Sequence, residues 1–256
     1  MKWVLVSLSC LLSSVYADDK KLEVTLGAEI VSASTYRGLL AYNKPTIHPT
    51  FDIEFVSKHS ASPPVLYIPS LHFSMVAVET HYYLTDFLQI HLGVEVFPGG
   101  ELIKLFEDKA GDRLSIKKTL EIFGGAKFIL HENISLSGGW HRDIMEHNGN
   151  LYFISTFVVL WKFGSPEDPV AVLDFFGLLN FGDQAHNRFF YGEPSETGLS
   201  SYTAKLAVTF PDLFWKKSSI GVGLTRSGVI GDNREGNLLH GHKDHHTVSL
   251  KISHTF

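Results

Sequence analysis

The chain has 256 residues, of which 44% are hydrophobic and 19% charged, with 22 Lys and Arg against 27 Asp and Glu. Because the charged fraction is below the roughly 25% of an average soluble domain and no run of basic residues is present, the composition argues against a disordered chain and against nucleic-acid binding. The net charge of −5 and the mean hydropathy of +0.06 leave open whether the apolar residues face a protein core or lipid.

The first 17 residues have the pattern of a secretory signal peptide. Lys2 precedes an apolar stretch over residues 3–12, and the small residue Ala17 precedes two aspartates. A positive start, a short apolar core and a small residue before the cleavage point are typical of such peptides. We expect residues 1–17 to be removed and residues 18–256 to form one domain. A lipoprotein anchor at Cys10 is the less favoured alternative, because the apolar run before it is short. The mature chain then has no cysteine and must be held by burial or by a closed hydrogen-bond network.

Apolar and polar residues alternate along most of the mature chain. Apolar side chains occupy every second position from Leu88 to Val96, and a similar alternation runs from Val248 to Phe256. Since successive side chains of a strand point to opposite faces, each segment has one apolar and one polar face. Helical spacing is not sustained anywhere, and no apolar stretch reaches the about 18 residues of a transmembrane helix. The pattern predicts an all-β protein, with further strands over residues 22–30, 51–55, 134–140, 202–210 and 220–224.

Short turns and long loops alternate between these segments. Compact turns are predicted over residues 57–64, 84–87, 131–133, 164–169 and 211–216. Longer polar loops are predicted over residues 37–44, 98–112, 142–150, 182–198 and 229–244. Because outer-membrane barrels have short turns at one end and long loops at the other, the pattern predicts an antiparallel transmembrane β-barrel of the bacterial outer membrane. If residues 65–84 form two antiparallel strands joined by a turn near residues 69–72, the barrel has about 12 strands. If these residues form one long strand, the barrel has about 10 strands.

Aromatic residues favour lipid over a soluble β-sandwich core as the surroundings of the apolar faces. They lie at or near strand ends, where the interfacial girdles of membrane barrels need amphipathic rings. The residues concerned are Tyr82, Tyr83, Phe87, Phe128, Tyr152, Phe153, Trp161, Phe163, Phe210, Phe214 and Trp215. In addition, an alternating last strand that ends in Phe256 resembles the terminal strand of bacterial outer-membrane proteins.

The segment over residues 182–232 carries a more specific resemblance. It holds an Asn-Arg-Phe-Phe-Tyr-Gly run at residues 187–192, a Gly-Leu-Ser-Ser-Tyr run at residues 198–202 and Gly231-Asp232 in a late loop. Upstream, the segment over residues 27–38 ends in a Tyr-x-Gly turn, Tyr36-Arg37-Gly38. These motifs and their order resemble the MltA-interacting protein (MipA)/OmpV family of outer-membrane proteins, and the similarity spans essentially all of the mature chain.

The resemblance implies a function without catalysis. It implies an outer-membrane location in a Gram-negative cell and, as partners, outer-membrane lipid and a lytic transglycosylase together with a peptidoglycan synthase, for which the barrel would be a scaffold. Other members of the family are porin-like or adhesive. Our leading hypothesis is therefore a non-enzymatic scaffold for peptidoglycan-remodelling enzymes. The alternative is a narrow porin-like channel for small polar solutes, and surface adhesion has the least support.

Alternation also predicts which side chains line the interior of such a barrel. Acidic groups predominate among them, so a channel would favour cations weakly. A 12-stranded barrel lies between the side-chain-filled barrels of about 8 strands and the aqueous pores of about 16 to 18, and the loop over residues 182–198 could plug its opening. The predicted lining residues are Glu23, Thr25, Glu29, Asp52, Glu54, Gln89, His91, Glu95, Glu121, Ser135, Ser137, Lys205, Thr209, Lys251 and Ser253.

Two further groups of residues contain side chains of the kinds found in metal or catalytic sites. The segment over residues 240–246 contains His240, His242, His245 and His246, which are potential Zn or Cu ligands, but Lys243 in its middle opposes cation binding. We therefore favour a solvated loop. Ser137 and His141 lie on one strand face but four residues apart, about 13 Å, too far for a nucleophile and its base. The sequence predicts no catalytic, cofactor-binding or metal-binding residue and no cofactor.

Overall fold

The computed structural model describes residues 20–57, 65–68, 76–97, 103–104, 107, 109, 118–192, 196–231 and 243–256. The predicted signal peptide lies outside these residues. The described chain is almost entirely β-structure, as the alternation predicts. Its elements are β1 (Lys20–Val31), β2 (Ser34–Tyr36), β3 (Leu39–Tyr42), β4 (Thr46–Ser57), β5 (Val65–Ile68), β6 (Val76–Thr85), β7 (Leu88–Phe97), β8 (Ile103–Lys104), β9 (Thr119–His131), β10 (Ile134–Asp143), β11 (Asn150–Gly164), β12 (Pro169–Gly182), α1 (Gln184–Tyr191), β13 (Gly198–Pro211), β14 (Ser218–Val229) and β15 (Asp244–Thr255).

One antiparallel sheet contains nearly all the strands. Over the described residues it has 13 strands in the order β1-β15-β14-β13-β12-β11-β10-β9-β7-β6-β5-β4-β8. Strand β1 has a partner on each side: it pairs with β15 from Thr25 to Val31 and with β4 from Lys20 to Val31. The separate pair β2–β3 forms a hairpin.

The strand count differs from the expected 12 or 10. The additional strand is β8, a two-residue segment within the predicted loop over residues 98–112, which pairs with Thr46 and Ile47 of β4. A segment of two residues is too short to show an alternation, so periodicity does not predict it. Residues 65–84 do form two strands, β5 and β6; their predicted turn near residues 69–72 lies outside the described residues.

Short and long connections lie at opposite ends of the sheet. Because neighbouring strands are antiparallel, connections alternate between the ends, and short ones join β6 to β7, β9 to β10, β11 to β12 and β13 to β14. These match the predicted turns near residues 84–87, 131–133, 164–169 and 211–216. We call this the short-turn end. The opposite end, which we call the loop end, carries the β2–β3 hairpin, residues 144–149 and α1.

Besides the loop that contains β8, two predicted loops contain regular structure. Residues 37–44 include most of the β2–β3 hairpin, and residues 182–198, predicted as a loop, include the short helix α1. An eight-residue helix spans only about two turns, which is too short for a helical spacing to stand out from its surroundings. Within the described residues, no helix is long and apolar enough to cross a membrane.

The sheet has an inverted distribution of polar and apolar side chains. On β15, Val248, Leu250 and Ile252 are 53%, 39% and 50% exposed, whereas the intervening Thr247 and Ser249 are buried. We call the face with the buried polar side chains the inner face and the opposite one the outer face. The same inversion recurs around the sheet. Exposed outer-face residues include Leu26, Ile30, Leu92, Val94, Leu136, Ile154, Leu179, Leu206, Val222 and Leu224, and buried inner-face residues include Gln89, Glu95, Glu121, Ser135, Asn180, Ser201 and Ser227.

A small apolar cluster lies at the loop end. It joins Leu39 of the hairpin, Phe190 and Tyr191 of α1, and Val229 at the end of β14, all at most 5% exposed. Tyr36 and Phe189 pack against it. The hairpin and the helix are therefore held together by burial of their own apolar side chains.

Candidate functional site

The β2–β3 hairpin lies directly against the wall of the sheet. Its turn is formed by Arg37 and Gly38, with φ angles of 50° and 80°. A Cβ atom at Gly38 would collide with the backbone oxygen of Gly228 and would lie 2.6 Å from the Cβ of Ser201. Glycine is therefore required twice over, for the left-handed conformation and for the close approach to β13 and β14.

Helix α1 begins at a strong N-terminal cap. The Asp183 carboxylate accepts hydrogen bonds from the His186 backbone N–H at 2.9 Å and from the Asn150 backbone and side-chain N–H groups at 2.8 and 2.7 Å. Burial raises the pKa of Asp183, but these hydrogen bonds outweigh it and hold the pKa below its usual range. The cap thus fixes the helix to the start of β11.

Direct contacts join the hairpin to the helix, and we call the two together (residues 34–42 and 184–191) the plug. The Tyr191 hydroxyl donates a hydrogen bond of 3.0 Å to the Arg37 carbonyl. The Arg37 guanidinium lies 4.8 Å from the ring centroid of Phe190 and 5.2 Å from that of Tyr36. Arg37 is therefore held by rings of both plug segments, an arrangement that favours a cation.

The plug is joined to the inner face by a buried charge cluster. Arg37 forms an ion pair with Glu121 of β9, and the two side chains are 8% and 1% exposed. The same Glu121 oxygen, Oε2, lies 3.3 Å from Nδ1 of His141, and this nitrogen lies 3.8 Å from Glu95 Oε2. Breaking a buried ion pair by removing one partner typically costs about 3–5 kcal/mol of stability. The Arg37–Glu121 pair therefore binds the plug firmly to the inner face.

His186 of α1 takes part in the same cluster in its neutral form. Its Nδ1 lies 3.3 Å from Arg37 Nη1, and because a guanidinium only donates, this nitrogen must be the unprotonated acceptor. Burial, and then the positive charge of Arg37, hold the pKa of His186 well below its usual value. Its Nε2 is buried without a hydrogen-bond partner in the described part of the chain.

The loop over residues 144–149 brings a second histidine to the helix. The Asp143 carboxylate accepts hydrogen bonds from the backbone N–H groups of Met145, Glu146 and His147. The His147 ring then lies 5.6 Å from the His186 ring and 4.3 Å from the Phe189 ring, between centroids. Burial lowers the pKa of His147, against the opposing charge of Asp143.

Below the cluster, aromatic rings lie flat on a glycine-rich part of the wall. Gly125 and Gly139 are cross-strand partners on β9 and β10. A Cβ atom at Gly125 would lie 2.6 Å from Nε2 of His91, and one at Gly139 would lie 2.8 Å from Cε1 of Phe153. The His91 and Phe153 rings stack at 6.3 Å. The glycines therefore make room for rings on the inner face, and Phe153, predicted to belong to an interfacial girdle, points inward.

The other predicted lining residues are largely paired. Glu29 and Lys205 approach to 3.5 Å, and Glu23 and Lys217 to 3.7 Å. Together with Glu121 and its partner Arg37, these pairs reduce the cation preference that the excess of acidic residues predicts. Thr25 bonds Thr255 and Ser253 bonds Ser219, while the side chains of Asp52 and Glu54 lie outside the described residues.

The histidines of residues 240–246 do not assemble a site in the described residues. His245 is buried and His246 exposed as neighbours on β15, so the two point to opposite faces. His240 and His242 lie outside the described residues. Within the described part of the chain, no group of three His, Cys, Asp or Glu side chains is placed to hold a metal ion. Ser137 and His141 both lie on β10, where His141 contacts the two glutamates described above.

Sequence reasoning missed the two residues at the centre of the cluster. The sequence pattern places Arg37 only in a loop and a family motif, and His186 only in a polar loop. The available signals were the Arg-Gly turn at residues 37–38 and Asp183, a favoured N-cap residue, three positions before His186.

Comparisons with known proteins give structural neighbours only. No protein-family model matches the chain, and no curated protein matches it. Among solved structures, a NanC porin is 9% identical, with 92% of this chain and 98% of that chain covered and a TM-score of 0.48. An outer membrane channel from Pseudomonas putida F1 is 10% identical, with 93% and 95% covered and a TM-score of 0.45. OmpF of Salmonella typhi in complex with daunomycin is 9% identical, with 93% of this chain and 97% of that chain covered and a TM-score of 0.41. Because these scores lie below 0.5, we argue function from the residues of this chain.

Proposed function

We propose that this chain is a β-barrel of the outer membrane of a Gram-negative bacterium, exported through its signal peptide, and that it forms a narrow, non-enzymatic passage for small polar solutes. The inverted sheet carries this proposal. Exposed leucine, isoleucine and valine side chains on the outer face of most strands, with buried polar side chains opposite, are what a barrel surrounded by lipid requires.

The double pairing of β1 supports a closed barrel. Its hydrogen bonds to β15 on one side and to β4 on the other support a ring made of β1, β4, β5, β6, β7 and β9 to β15, with β8 as a short addition. A closed ring leaves no unpaired strand edge in lipid, where each unsatisfied backbone group would cost roughly several kcal/mol of free energy.

Two groups of exposed aromatic rings support a bilayer around this ring. Trp140, Tyr152 and Phe181 are cross-strand neighbours toward the loop end, and Trp161 and Phe163 lie toward the short-turn end of β11. From position 152 to position 161 the strand rises about 30 Å at roughly 3.3 Å per residue. A strand tilt of roughly 40° reduces this to about 23 Å, close to the apolar band of about 25 Å in outer-membrane barrels.

The interior supports a narrow passage. Its described walls carry Lys205, Lys251, Glu29 and other polar side chains, whereas the plug fills the loop end with apolar residues and the Arg37–Glu121 pair. A ring of about twelve strands is wide enough to leave space beside such a plug, which about eight strands are not.

A scaffold is the second candidate, and the filled loop end is the observation that favours it. A barrel that never opens has no transport role and would serve as an anchor. The resemblance of residues 182–232 to the MipA/OmpV family would then make a lytic transglycosylase and a peptidoglycan synthase its partners. Parts of this segment, α1 and β13, belong to or adjoin the plug.

Conductance in planar lipid bilayers distinguishes the two candidates. The purified chain should first show the heat-dependent gel mobility of a folded barrel. We expect discrete conductance steps, smaller than those of an open 16-stranded porin measured in parallel. A folded, silent protein that co-purifies from crosslinked cells with a peptidoglycan-cleaving enzyme would overturn the channel proposal in favour of the scaffold. Recovery from the soluble periplasm without a mobility shift would overturn both.

A further inference from the structure

We propose that the plug is an acid-operated gate, in which protonation of His186 separates Arg37 from the inner face and opens the loop end of the barrel. The inference rests on the proposed passage and adds its regulation. It is carried by the position of one neutral histidine between the plug and the wall.

The geometry leaves a protonated His186 without partners. Its Nδ1 faces the Arg37 guanidinium at 3.3 Å, so a proton on this nitrogen would point at another donor and place two positive charges side by side. Its Nε2–H has no acceptor in the described part of the chain. The side chain is 1% exposed, so water does not relieve either problem.

The charged groups around His186 come from every element packed against it. The β2–β3 turn supplies Arg37, and the loop over residues 144–149 supplies the His147 ring at 5.6 Å. The wall supplies the carboxylate of Glu121, which is already paired with Arg37, and beyond it His141 and Glu95. On α1 itself the Asp183 carboxylate is engaged by backbone and side-chain N–H groups. Glu121 Oε1 has no hydrogen-bond partner in the described part of the chain, but the single negative charge of this carboxylate already neutralises Arg37 and does not also offset a charge on His186.

The direction of the pH dependence follows from the burial of neutral His186. Its pKa is lowered in the closed state, whereas in an opened, hydrated plug it returns toward about 6.5. The open state therefore binds more protons than the closed state. The population of the closed state is highest above about pH 6.5 and decreases as the pH falls below that value. One proton changes the ratio of open to closed by up to about tenfold per pH unit.

The test measures open probability in planar bilayers with the full-length protein at pH 7.5, 6.5 and 5.5. For wild type we expect an increase of less than about twofold between pH 7.5 and 6.5 and of about fivefold between pH 6.5 and 5.5, because the open-state pKa is about 6.5. In His186→Asn the side-chain oxygen replaces Nδ1 as acceptor from Arg37 but does not titrate, so the increase should fall below about twofold. The matched control is His246→Asn, on the outer face of β15, which should keep the wild-type response.

A second variant separates failure of the gate from failure of the passage. Arg37→Met removes the charge that fastens the plug and should be open at pH 7.5 and insensitive to pH. A response of His186→Asn equal to that of wild type, or a flat response in wild type, would overturn the gate while leaving the passage intact. Folded wild type and folded Arg37→Met that are both silent at every pH would instead overturn the passage. Heat-dependent gel mobility confirms that each variant is folded.

Discussion

At the scale of single residues, the glycines of the inner face decide where aromatic rings can lie. Gly139 should not tolerate a side chain, because the Cβ of Gly139→Ala would collide with the Gly124 backbone oxygen and the Phe153 ring. We expect a loss of about 1–3 kcal/mol, the usual range for overpacking, seen as a lower midpoint of urea unfolding in lipid vesicles. Gly198→Ala is the matched control, since a Cβ atom there has nothing within 4 Å. Equal midpoints for the two variants would contradict the role given to Gly139.

Asp183 is the residue on which the helix depends. Asp183→Ala removes the acceptor of three hydrogen bonds and should destabilise α1 by about 1–2 kcal/mol, the upper range for loss of an N-cap. The measurement is the rate of tryptic cleavage after Arg188, which is exposed on this helix. We expect cleavage to accelerate roughly tenfold, since about 1.4 kcal/mol corresponds to a factor of ten. Asp168→Ala, in an exposed turn at the short-turn end, should leave the rate unchanged; an unchanged rate in Asp183→Ala would refute the capping role.

At the scale of elements, β14 offers a direct test of the outer face. Leu224 is 54% exposed near the middle of this strand. Leu224→Arg should lower the free energy of unfolding in vesicles by about 2–4 kcal/mol, because an arginine at the bilayer midplane loses its hydration. The same change at Leu84, beside the turn after β6, should cost about 0–1 kcal/mol because it lies near the interface. A small effect at both positions would mean that water, rather than lipid, covers β14.

The elements that sequence predicted best are the long strands. β7 and β15 alternate over nine or more positions, and a two-residue period of that length predicts both a strand and its faces. The elements it missed are short and depend on their surroundings. Strand β8 exists because β4 offers Thr46 and Ile47 as partners, and α1 exists because Asp183 caps it and Phe190 and Tyr191 are buried against the hairpin. Such tertiary partners leave no periodic signal in their own segment.

At the scale of the whole molecule, the site depends on contacts between distant parts of the chain. Arg37 and Glu121 are 84 residues apart, and Arg37 and His186 are 149 apart. Alternation correctly predicted that Glu121 belongs to the buried polar face, but it carries no information on which loop covers that face. Residues 182–198, the segment predicted to be able to plug the opening, contain α1, and residues 37–44, predicted as another polar loop, contain most of the hairpin that contacts this helix.

The most direct test of the central claim is a scan of single cysteines along β15, from position 247 to position 252, in folded protein in lipid vesicles. The mature chain is expected to contain no cysteine of its own, because Cys10 lies in the predicted signal peptide. Spin labels at Val248, Leu250 and Ile252 should be relaxed by oxygen dissolved in the bilayer, and labels at Thr247, Ser249 and Lys251 by a water-soluble nickel chelate. That alternation is the prediction. Preferential relaxation by the nickel chelate at all six positions would contradict a lipid-facing outer surface and with it the barrel.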